Sequence, residues 1–353
     1  MIDCAIHPAI PAVRALFPYL PELWQSYIVE SGFGGPEATL YPPRSPLSAM
    51  PEALPPDDGL PGSDLAPLRA HVLDRGPVTH GILCPLYAVA GLHNEDLAAA
   101  LASAMNEWQR EQWLEQEPRL WASLVVPAQN PELAVAEIER LGHDRRFVQV
   151  LLPLMSEAPY GKRRFWPIYA AAQRFGMPIA IVAGATPGQP PTPAGFPSYH
   201  FEEYVAGAQV CQSQVLSLVS EGVFVKFPDL RVVLVGSGCT WLPSLMWRFD
   251  KDWRGLRREV PWLVRPPSEY IRAHLRLTLQ PFDAPPGAAS LQQFMEHSGS
   301  EDLLLFSSAY PQCHMSAPEE PALDALPHAL RQKIQVDNPR AVYRLDQAAT
   351  EGL

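Results

Sequence analysis

Short apolar runs alternate with longer stretches of helical spacing along most of the chain. The runs are rich in Val, Ile and Leu, which is typical of strands buried on both faces of a parallel sheet. Strands that alternate with helices predict parallel pairing through right-handed crossovers. The pattern predicts eight strands, at residues 2–6, 81–86, 120–126, 147–152, 178–182, 231–235, 275–279 and 303–306.

The intervening stretches carry residues that favour helix boundaries. Asn94 can cap a helix, and a second helix has Pro131 at its start and Gly142 after its end. Eight strand–helix units favour a closed barrel, so we predict an α/β fold: a distorted (β/α)8 TIM barrel forming a single domain over residues 1–353. The predicted helices span residues 65–75, 94–115, 131–141, 165–175, 203–220, 241–257, 291–297 and 338–343.

Residues 35–78 form a stretch rich in Pro and Gly that interrupts the barrel after the first strand. The chain contains 40 prolines, and many of them fall in this stretch. A loop of this length inside a domain usually has a function. We therefore expect an insertion that covers the barrel mouth or reaches a neighbouring subunit.

Composition narrows the class of protein. A net charge of −11 disfavours nucleic acid and anionic membrane surfaces as partners. The five cysteines are scattered without a CxxC pair, and the N-terminus lacks a basic segment followed by a long apolar one, so a reduced, cytoplasmic protein without a signal peptide is expected. No apolar run is long enough to span a membrane.

Sites in such barrels lie at the C-terminal ends of the strands. The most distinctive of these ends is 303–315, where an apolar run stops at two serines and a cluster of polar groups follows. A metal-dependent hydrolase needs several His or carboxylate ligands, but the predicted strand ends supply one His and no Asp or Glu. The polar candidates at or near the mouth are His7, His200, Ser308, Gln312, Cys313 and His314.

Several motifs are spread over nearly the whole chain. They are Ile2-Asp-Cys-x-x-His-Pro8, Gly195-x-Pro-Ser-Tyr, Phe227-Pro-Asp-Leu-x-Val-Val-Leu, Trp241-Leu-Pro-Ser-Leu-Met-Trp-Arg, Arg258-Glu-Val-Pro-Trp, Pro267-Ser-Glu-Tyr and Leu304-Leu-Phe-Ser-Ser-x-Tyr-Pro. Together they resemble the amidohydrolase-related family, in the branch that includes metal-dependent decarboxylases. The resemblance implies a distorted (β/α)8 barrel and one bound Zn, Mn or Fe ion.

The chain departs from this family at the metal ligands that the resemblance implies. The implied ligand positions are Ala5, in the first-strand motif, and Val182, Gly236 and Ala309, after strands five, six and eight. Only His7 remains. The loop that usually reads Pro-His reads Pro311-Gln312. Losing the carboxylates removes the charge that balances a divalent ion, so we expect no metal and no catalytic residue in this chain.

Three functions stay open. The first is a catalytically degenerate, metal-free subunit that acts as a structural or regulatory partner of an intact metal-dependent paralogue in a heteromer; a homodimer is also possible. The second is an active hydrolase or decarboxylase with a rebuilt mononuclear site, in which His7, His200 and His314, with Cys313 as a further candidate, hold one Zn, Mn or Fe ion. The third is a protein that binds a small molecule in the mouth without turnover.

Each candidate residue also has a structural interpretation. His7 can be a hydrogen-bonded histidine in a filled mouth, His200 a loop or interface residue, and Cys4 a core residue. His80 lies at the opposite end of the barrel from a catalytic site. Neighbours in sequence rarely point at each other, which weakens a nucleophile made of Cys313 and His314. The stretch with Trp241, Trp247, Trp253 and Trp262, interleaved with arginines, suggests a subunit contact.

Overall fold

Eight parallel strands form the centre of the molecule, in sequence order, each hydrogen-bonded to the next. The amide of Cys4 donates to the carbonyl of Phe306 at 2.9 Å, which brings the last strand to the first and nearly closes the barrel. The computed structural model describes residues 1–36, 41, 49–55, 59–184, 188–280, 282–283, 288–312, 323–324 and 326–345. The strands are β1 Ile2–Ile6, β2 His80–Leu83, β3 Leu120–Val125, β4 Phe147–Pro153, β5 Ile179–Val182, β6 Val232–Val235, β7 Leu275–Thr278 and β8 Leu304–Leu305.

Helices surround this sheet, which confirms the predicted (β/α)8 barrel. The helices among the described residues are α1 Glu22–Ser31, α2 Leu65–Leu68, α3 Glu95–Gln109, α4 Pro131–Leu141, α5 Trp166–Arg174, α6 His200–Ser220, α7 Val223–Lys226, α8 Leu242–Leu256, α9 Pro267–His274, α10 Ala288–Ser298, α11 His328–Gln332 and α12 Asn338–Tyr343. Helices α2, α3 and α11 continue into π-helical turns, Arg69–Leu73, Arg110–Leu114 and Lys333–Asp337. Short 3-10 helices occur at Val13–Tyr19, Pro51–Ala53, Val89–Gly91 and Arg163–Phe165. None of the helices within the described ranges is long and apolar enough to cross a membrane.

The cap predicted at Asn94 forms as expected. The side chain of Asn94 accepts from the amide of Leu97 at 3.0 Å and so begins α3. Asn130 caps α4 in the same way, with Pro131 in the first turn. These side-chain oxygens satisfy amides that have no partner within the helix, which fixes where each helix begins.

The strands are buried because helices cover the sheet. Every residue of β1, β5 and β6 is buried, including Cys4 on β1, so its predicted place in the core is confirmed. The cysteines 4, 84, 211 and 239 are buried free thiols. Cys313 and His314 lie outside the described residues.

Candidate functional site at the barrel mouth

His7 lies directly after β1, at the mouth, and is almost fully buried. Its Nδ1 is 2.8 Å from the carbonyl oxygen of Cys84, the residue after β2. A carbonyl only accepts, so Nδ1 carries the proton and Nε2 keeps its lone pair. Burial lowers the pKa of His7, although the hydrogen bond to Cys84 opposes that shift, so the ring stays neutral near pH 7.

The end of β8 is tied to β1 by a carboxylate. Oδ1 of Asp3 accepts from the amide of Ser308 at 3.0 Å and from the amide of Ala5 at 3.2 Å. Asp3 has no exposed surface, and its burial raises the pKa to about 6 even though both amides favour the charged form. Within the described part of the chain, Oδ2 of Asp3 makes no hydrogen bond.

The loop after β8 contains three of the predicted mouth positions. The Oγ of Ser308 accepts from the amide of Tyr310 at 3.1 Å, and the amide of Gln312 donates to the carbonyl of Ala309 at 2.9 Å. Ala309 is buried and has a φ of 55°, the left-handed region in which Asp and Asn are enriched among non-glycine residues. The loop is therefore a tight turn that holds its residue 309 in a conformation suited to a short polar side chain.

A polar layer crosses β2, β3 and β4 below the mouth. The side-chain Nε2 of Gln149 donates to the Oγ of Ser123 at 2.8 Å, and the Sγ of Cys84 lies 3.3 Å from the same oxygen. Burial raises the pKa of Cys84 to about 12, so this thiol is not an activated nucleophile. Spacing in the sequence did not single out these three residues, because their contact depends on strand register.

Hydroxyl groups at the ends of β7 and β8 accept hydrogen bonds from backbone amides in the neighbouring loops. The amide of Gly236 donates to the Oγ1 of Thr278 at 3.0 Å, and the amide of Gln280 donates to the Oγ of Ser307 at 3.1 Å. Gly236 itself has a φ of +73°. These hydroxyls thus position the mouth, and Gly236 contributes no ligand atom of its own.

His200 begins α6 on the far side of the mouth. Its Nδ1 is 3.6 Å from a carboxylate oxygen of Glu203, and its ring centroid is 5.3 Å from that of Tyr41. Neither His200 nor His7 belongs to a group of three or more potential metal ligands among the described residues. The predicted alternative ligand set is therefore not assembled by described residues, and its third member, His314, lies outside them.

The described residues do not fit the divalent ion that the resemblance implies. Among them, no group of three or more His, Cys, Asp or Glu could hold a metal ion. The buried side chains of Ala5, Val182 and Ala309 contain no donor atom. The His and carboxylate side chains described on β1 and directly after it are Asp3 and His7, and two such residues fall short of the usual ligand count.

Residues 49–55 and 59–64 lie against the mouth on the β1–β8 side. The carbonyl of Pro311 accepts from the amide of Met50 at 2.8 Å, and the carbonyl of Gly62 accepts from the amide of Ala9 at 3.0 Å. On the side of β5, the hydroxyl of Tyr41 donates to the carbonyl of Pro197 at 3.0 Å. Because β1 and β5 stand opposite each other in an eight-stranded barrel, described parts of 35–78 contact both rims of the mouth. Whether this stretch also reaches a neighbouring subunit stays a prediction.

The tryptophans of the predicted contact stretch divide into two kinds. Trp241 is buried and its Nε1 donates to the carbonyl of Ser237 at 3.0 Å, and the Nε1 of Trp262 donates to the carbonyl of Ser220 at 2.8 Å. Trp247 is exposed on α8. Trp241 thus belongs to the core, and the subunit contact through the remaining residues stays a prediction.

The sequence of this barrel matches a known protein family. A sequence model of the family described as Amidohydrolase matches residues 2–345. The chain belongs to the amidohydrolase family. This agrees with the resemblance carried by the seven motifs, and it leaves open which members of the family share this chain's ligand positions.

Relatives within the family are decarboxylases. Gamma-resorcylate decarboxylase from Polaromonas sp. strain JS666 is 27% identical over 216 residues, which cover 54% of this chain and 64% of that protein. The structure of 2,6-dihydroxybenzoate decarboxylase from Rhizobium aligns with a TM-score of 0.70 and 21% identity, covering 98% of each chain. A dihydroxybenzoic acid decarboxylase from Polaromonas sp. JS666, with bound manganese, aligns with a TM-score of 0.67 and 22% identity, covering 87% of this chain and 97% of that one. At these identities the solved structures show a shared fold, and less than two thirds of the first relative is covered, so its activity is not transferred.

Proposed function

We propose that this chain is a metal-free amidohydrolase-fold subunit that supports or regulates an intact, metal-dependent paralogue in a heteromer. The observation behind this proposal is the donor set at the mouth. The described residues offer one imidazole nitrogen and one free oxygen of Asp3, whose carboxyl has a raised pKa. A divalent ion requires at least three protein ligands as a rule, and it requires negative charge to offset its own.

The remaining mouth chemistry supports a scaffold role. Ser308 accepts a hydrogen bond from a backbone amide of its own loop, and Thr278 and Ser307 accept from amides of neighbouring loops, so all three hold the rim in shape. Burial raises the pKa of Cys84 to about 12, so its thiol is not activated as a nucleophile. The described part of the mouth is thus held in shape by hydrogen bonds, and its described residues include neither a group of three metal ligands nor an activated thiol. We place this assembly in the cytoplasm, since the cysteine usage suggests a reducing compartment.

A second candidate is a decarboxylase or hydrolase with a rebuilt mononuclear site. The comparisons favour this candidate, because the relatives are named as gamma-resorcylate decarboxylases and a neighbouring structure holds manganese. The donor geometry favours the first candidate. In the second, His7 would be one ligand through Nε2, with His200 and His314 as the further ligands and a small aromatic carboxylate as the substrate class.

Metal analysis of the full chain expressed alone, with Zn, Mn and Fe supplied in the medium, separates the two candidates. The first predicts far less than one ion per chain and no turnover of 2,6-dihydroxybenzoate. One ion per chain that is lost in His7→Ala, together with turnover, would establish the second and overturn the first. His328→Ala, at an exposed histidine on α11, is the matched control.

The heteromer is tested separately by affinity purification of the chain at native abundance. The proposal predicts a stoichiometric amidohydrolase-family protein that carries metal ligands at the positions matching Ala5, Val182 and Ala309. Recovery of this chain alone, under conditions that preserve weak complexes, would count against the heteromer.

A further inference from the structure

A cavity of about 110 Å³ lies at the N-terminal face of the barrel, opposite the mouth. Its walls include the segments that lead into β5 and β6, residues 176–178 and 229–231, and Arg344 at the end of α12. Pockets that enclose a whole small-molecule ligand measure about 300–1,000 Å³. This cavity therefore suits a group of the size of a small inorganic ion.

Two arginines, Arg231 and Arg344, line the cavity together. Among the described residues, neither guanidinium has a carboxylate oxygen within 4 Å. By contrast, Arg119 and Arg146, which directly precede β3 and β4 on the same face, form salt bridges at 2.8 and 2.7 Å. A guanidinium binds carboxylate and phosphate groups through paired N–H donors. The two arginines of the cavity thus present donors that no described carboxylate uses.

The positive charges at this end of β6 repel one another. Burial lowers the pKa of Arg231, and the charge of Arg344 lowers it as well, although Asp229 acts in the opposite direction. Burial, and then the charge of Arg231, lower the pKa of Arg276 on β7 to about 10. The Nε of Arg276 is buried and has no hydrogen-bond partner within the described ranges. An anion held between the arginines would offset this repulsion.

The backbone at Arg344 is strained. Its φ is 52°, at the C-terminal cap of α12, a place where helices commonly have glycine because a side chain is costly there. The Nη1 of Arg344 lies 2.6 Å from where a Cβ on Gly176 would be, so the guanidinium lies against the chain that leads into β5. A long charged side chain at a strained position suggests that its guanidinium has a function.

The cavity also contains hydrogen-bond acceptors. Asp229 and Gln173 line it, and the Oε1 of Gln173 is buried without a donor among the described residues. A carboxylate and an amide oxygen only accept, so they favour an anion that carries a proton of its own. Hydrogen phosphate carries such a proton at neutral pH, whereas sulfate does not. A tetrahedral phosphate also has enough oxygens for two guanidinium groups, while a carboxylate has only two.

We propose that this cavity binds hydrogen phosphate, with Arg231 and Arg344 donating to its oxygens and its O–H donating to Asp229 or Gln173. The chain has a net charge of −11, so general attraction does not explain anion binding and the local arginines must provide it. The site lies at the opposite end of the barrel from His7. It requires no metal and no turnover, so it does not depend on the function proposed above.

Calorimetric titration of the full chain with sodium phosphate, in chloride buffer at constant ionic strength, tests the proposal. Wild type is expected to bind one phosphate per chain with saturation. Arg231→Gln and Arg344→Gly should each weaken binding at least about tenfold, because each removes charged donors. Arg344→Gly should also stabilise the phosphate-free protein against urea, since glycine adopts a positive φ without strain. Loss of affinity in a more stable variant cannot result from unfolding.

Arg258→Gln is the matched control, because it removes the same charge at an exposed arginine beyond the end of α8. It should leave the affinity for phosphate unchanged. Sulfate and glycerol 2-phosphate, titrated at about pH 8 where neither carries an acidic proton, should bind at least about tenfold more weakly than phosphate. The proposal is overturned if wild type shows no saturable phosphate binding, if Arg258→Gln weakens it as much as Arg231→Gln, or if either comparison anion binds as tightly as phosphate.

Discussion

The Nδ1 atom of His7 donates a hydrogen bond to the carbonyl oxygen of Cys84, 2.8 Å away, and so links the ends of β1 and β2. This bond fixes the tautomer and the orientation of the ring. His7 therefore has a role in the fold that requires no metal. Experiment can separate this role from the metal-ligand role that the resemblance implies for His7.

Replacing His7 by alanine should destabilise the protein whether or not it binds metal. The buried carbonyl of Cys84 would lose its hydrogen-bond partner, and removal of the ring would leave a cavity. Together these effects should lower the free energy of unfolding by about 1–3 kcal/mol. Urea unfolding of metal-free protein measures the loss. His328→Ala, at an exposed histidine, should change the free energy of unfolding little; equal effects of both substitutions would contradict the structural role.

The raised pKa of Asp3 predicts how the stability of the protein depends on pH. Burial raises its pKa to about 6 in the folded protein, above the unfolded value near 3.9. Its protonated form is thus favoured by folding, so the contribution of Asp3 to stability is full below about pH 4 and is lost as pH rises through about 6. The difference amounts to about 3 kcal/mol as an upper figure.

Asp3→Asn keeps an acceptor for the amides of Ser308 and Ala5 but does not titrate. As pH rises from about 4 to about 6, wild type should lose stability that the variant keeps. The free energy of unfolding of the variant should therefore rise relative to that of wild type. Denaturant unfolding of both proteins across this range measures the difference in the free energy of unfolding. The other carboxylates occur in both proteins, so their effects on stability cancel in this difference. A difference that does not vary with pH would show that Asp3 does not titrate in this window.

The bounds of a helix or strand could be predicted where the residues at its ends determine them. Helix α4 matches its predicted bounds because Asn130 and Pro131 fix the start. β2 was expected to reach residue 86 but ends at Leu83, two residues before Pro85, which has no amide to donate to a neighbouring strand. Helix α9 was not among the predicted helices, although proline is favoured in a first turn and Pro267 begins it.

Contacts at the mouth were less accessible to prediction. Strand β8 was expected over 303–306, but only Leu304 and Leu305 pair as a strand, because the amide of Phe306 donates to the carbonyl of Ile334. Asp3 stood inside a motif and its carboxylate was not assigned a role, although an acid within an apolar strand is a signal for a special partner. That partner, Ser308, is 305 residues away, and no local pattern reports such a distance.

Gly62, in the segment 59–64, lies against the backbone of His7. Its φ is +78°, and a Cβ there would come within 2.7 Å of the carbonyl oxygen of His7. Gly62→Ala should therefore displace the segment from the mouth rim, with faster amide hydrogen exchange at residues 59–64. We expect a loss of about 1–3 kcal/mol in the free energy of unfolding.

Gly188 provides the matched control for this substitution. Its φ is +93°, and no described atom lies within 4 Å of the Cβ position. Gly188→Ala should show only the cost of a left-handed alanine, about 1–2 kcal/mol. If both variants lose equal stability and exchange at 59–64 is unchanged, the contact between Gly62 and His7 does not hold the segment.

Restoring ligands should restore metal binding if replaced side chains are what prevents it. The triple variant Ala5→Glu, Val182→His and Ala309→Asp adds three ligands around His7, and the φ of 55° at Ala309 is one that aspartate tolerates. We expect it to bind one Mn²⁺ at least about tenfold more tightly than wild type, since affinity follows ligand count and charge. Calorimetric titration measures the gain, and circular dichroism checks that these buried sites accept the larger side chains. Adding His7→Ala to the triple variant should abolish the gain. Tight binding by wild type itself, or a gain that survives loss of His7, would refute the idea that these positions decide whether the barrel holds a metal.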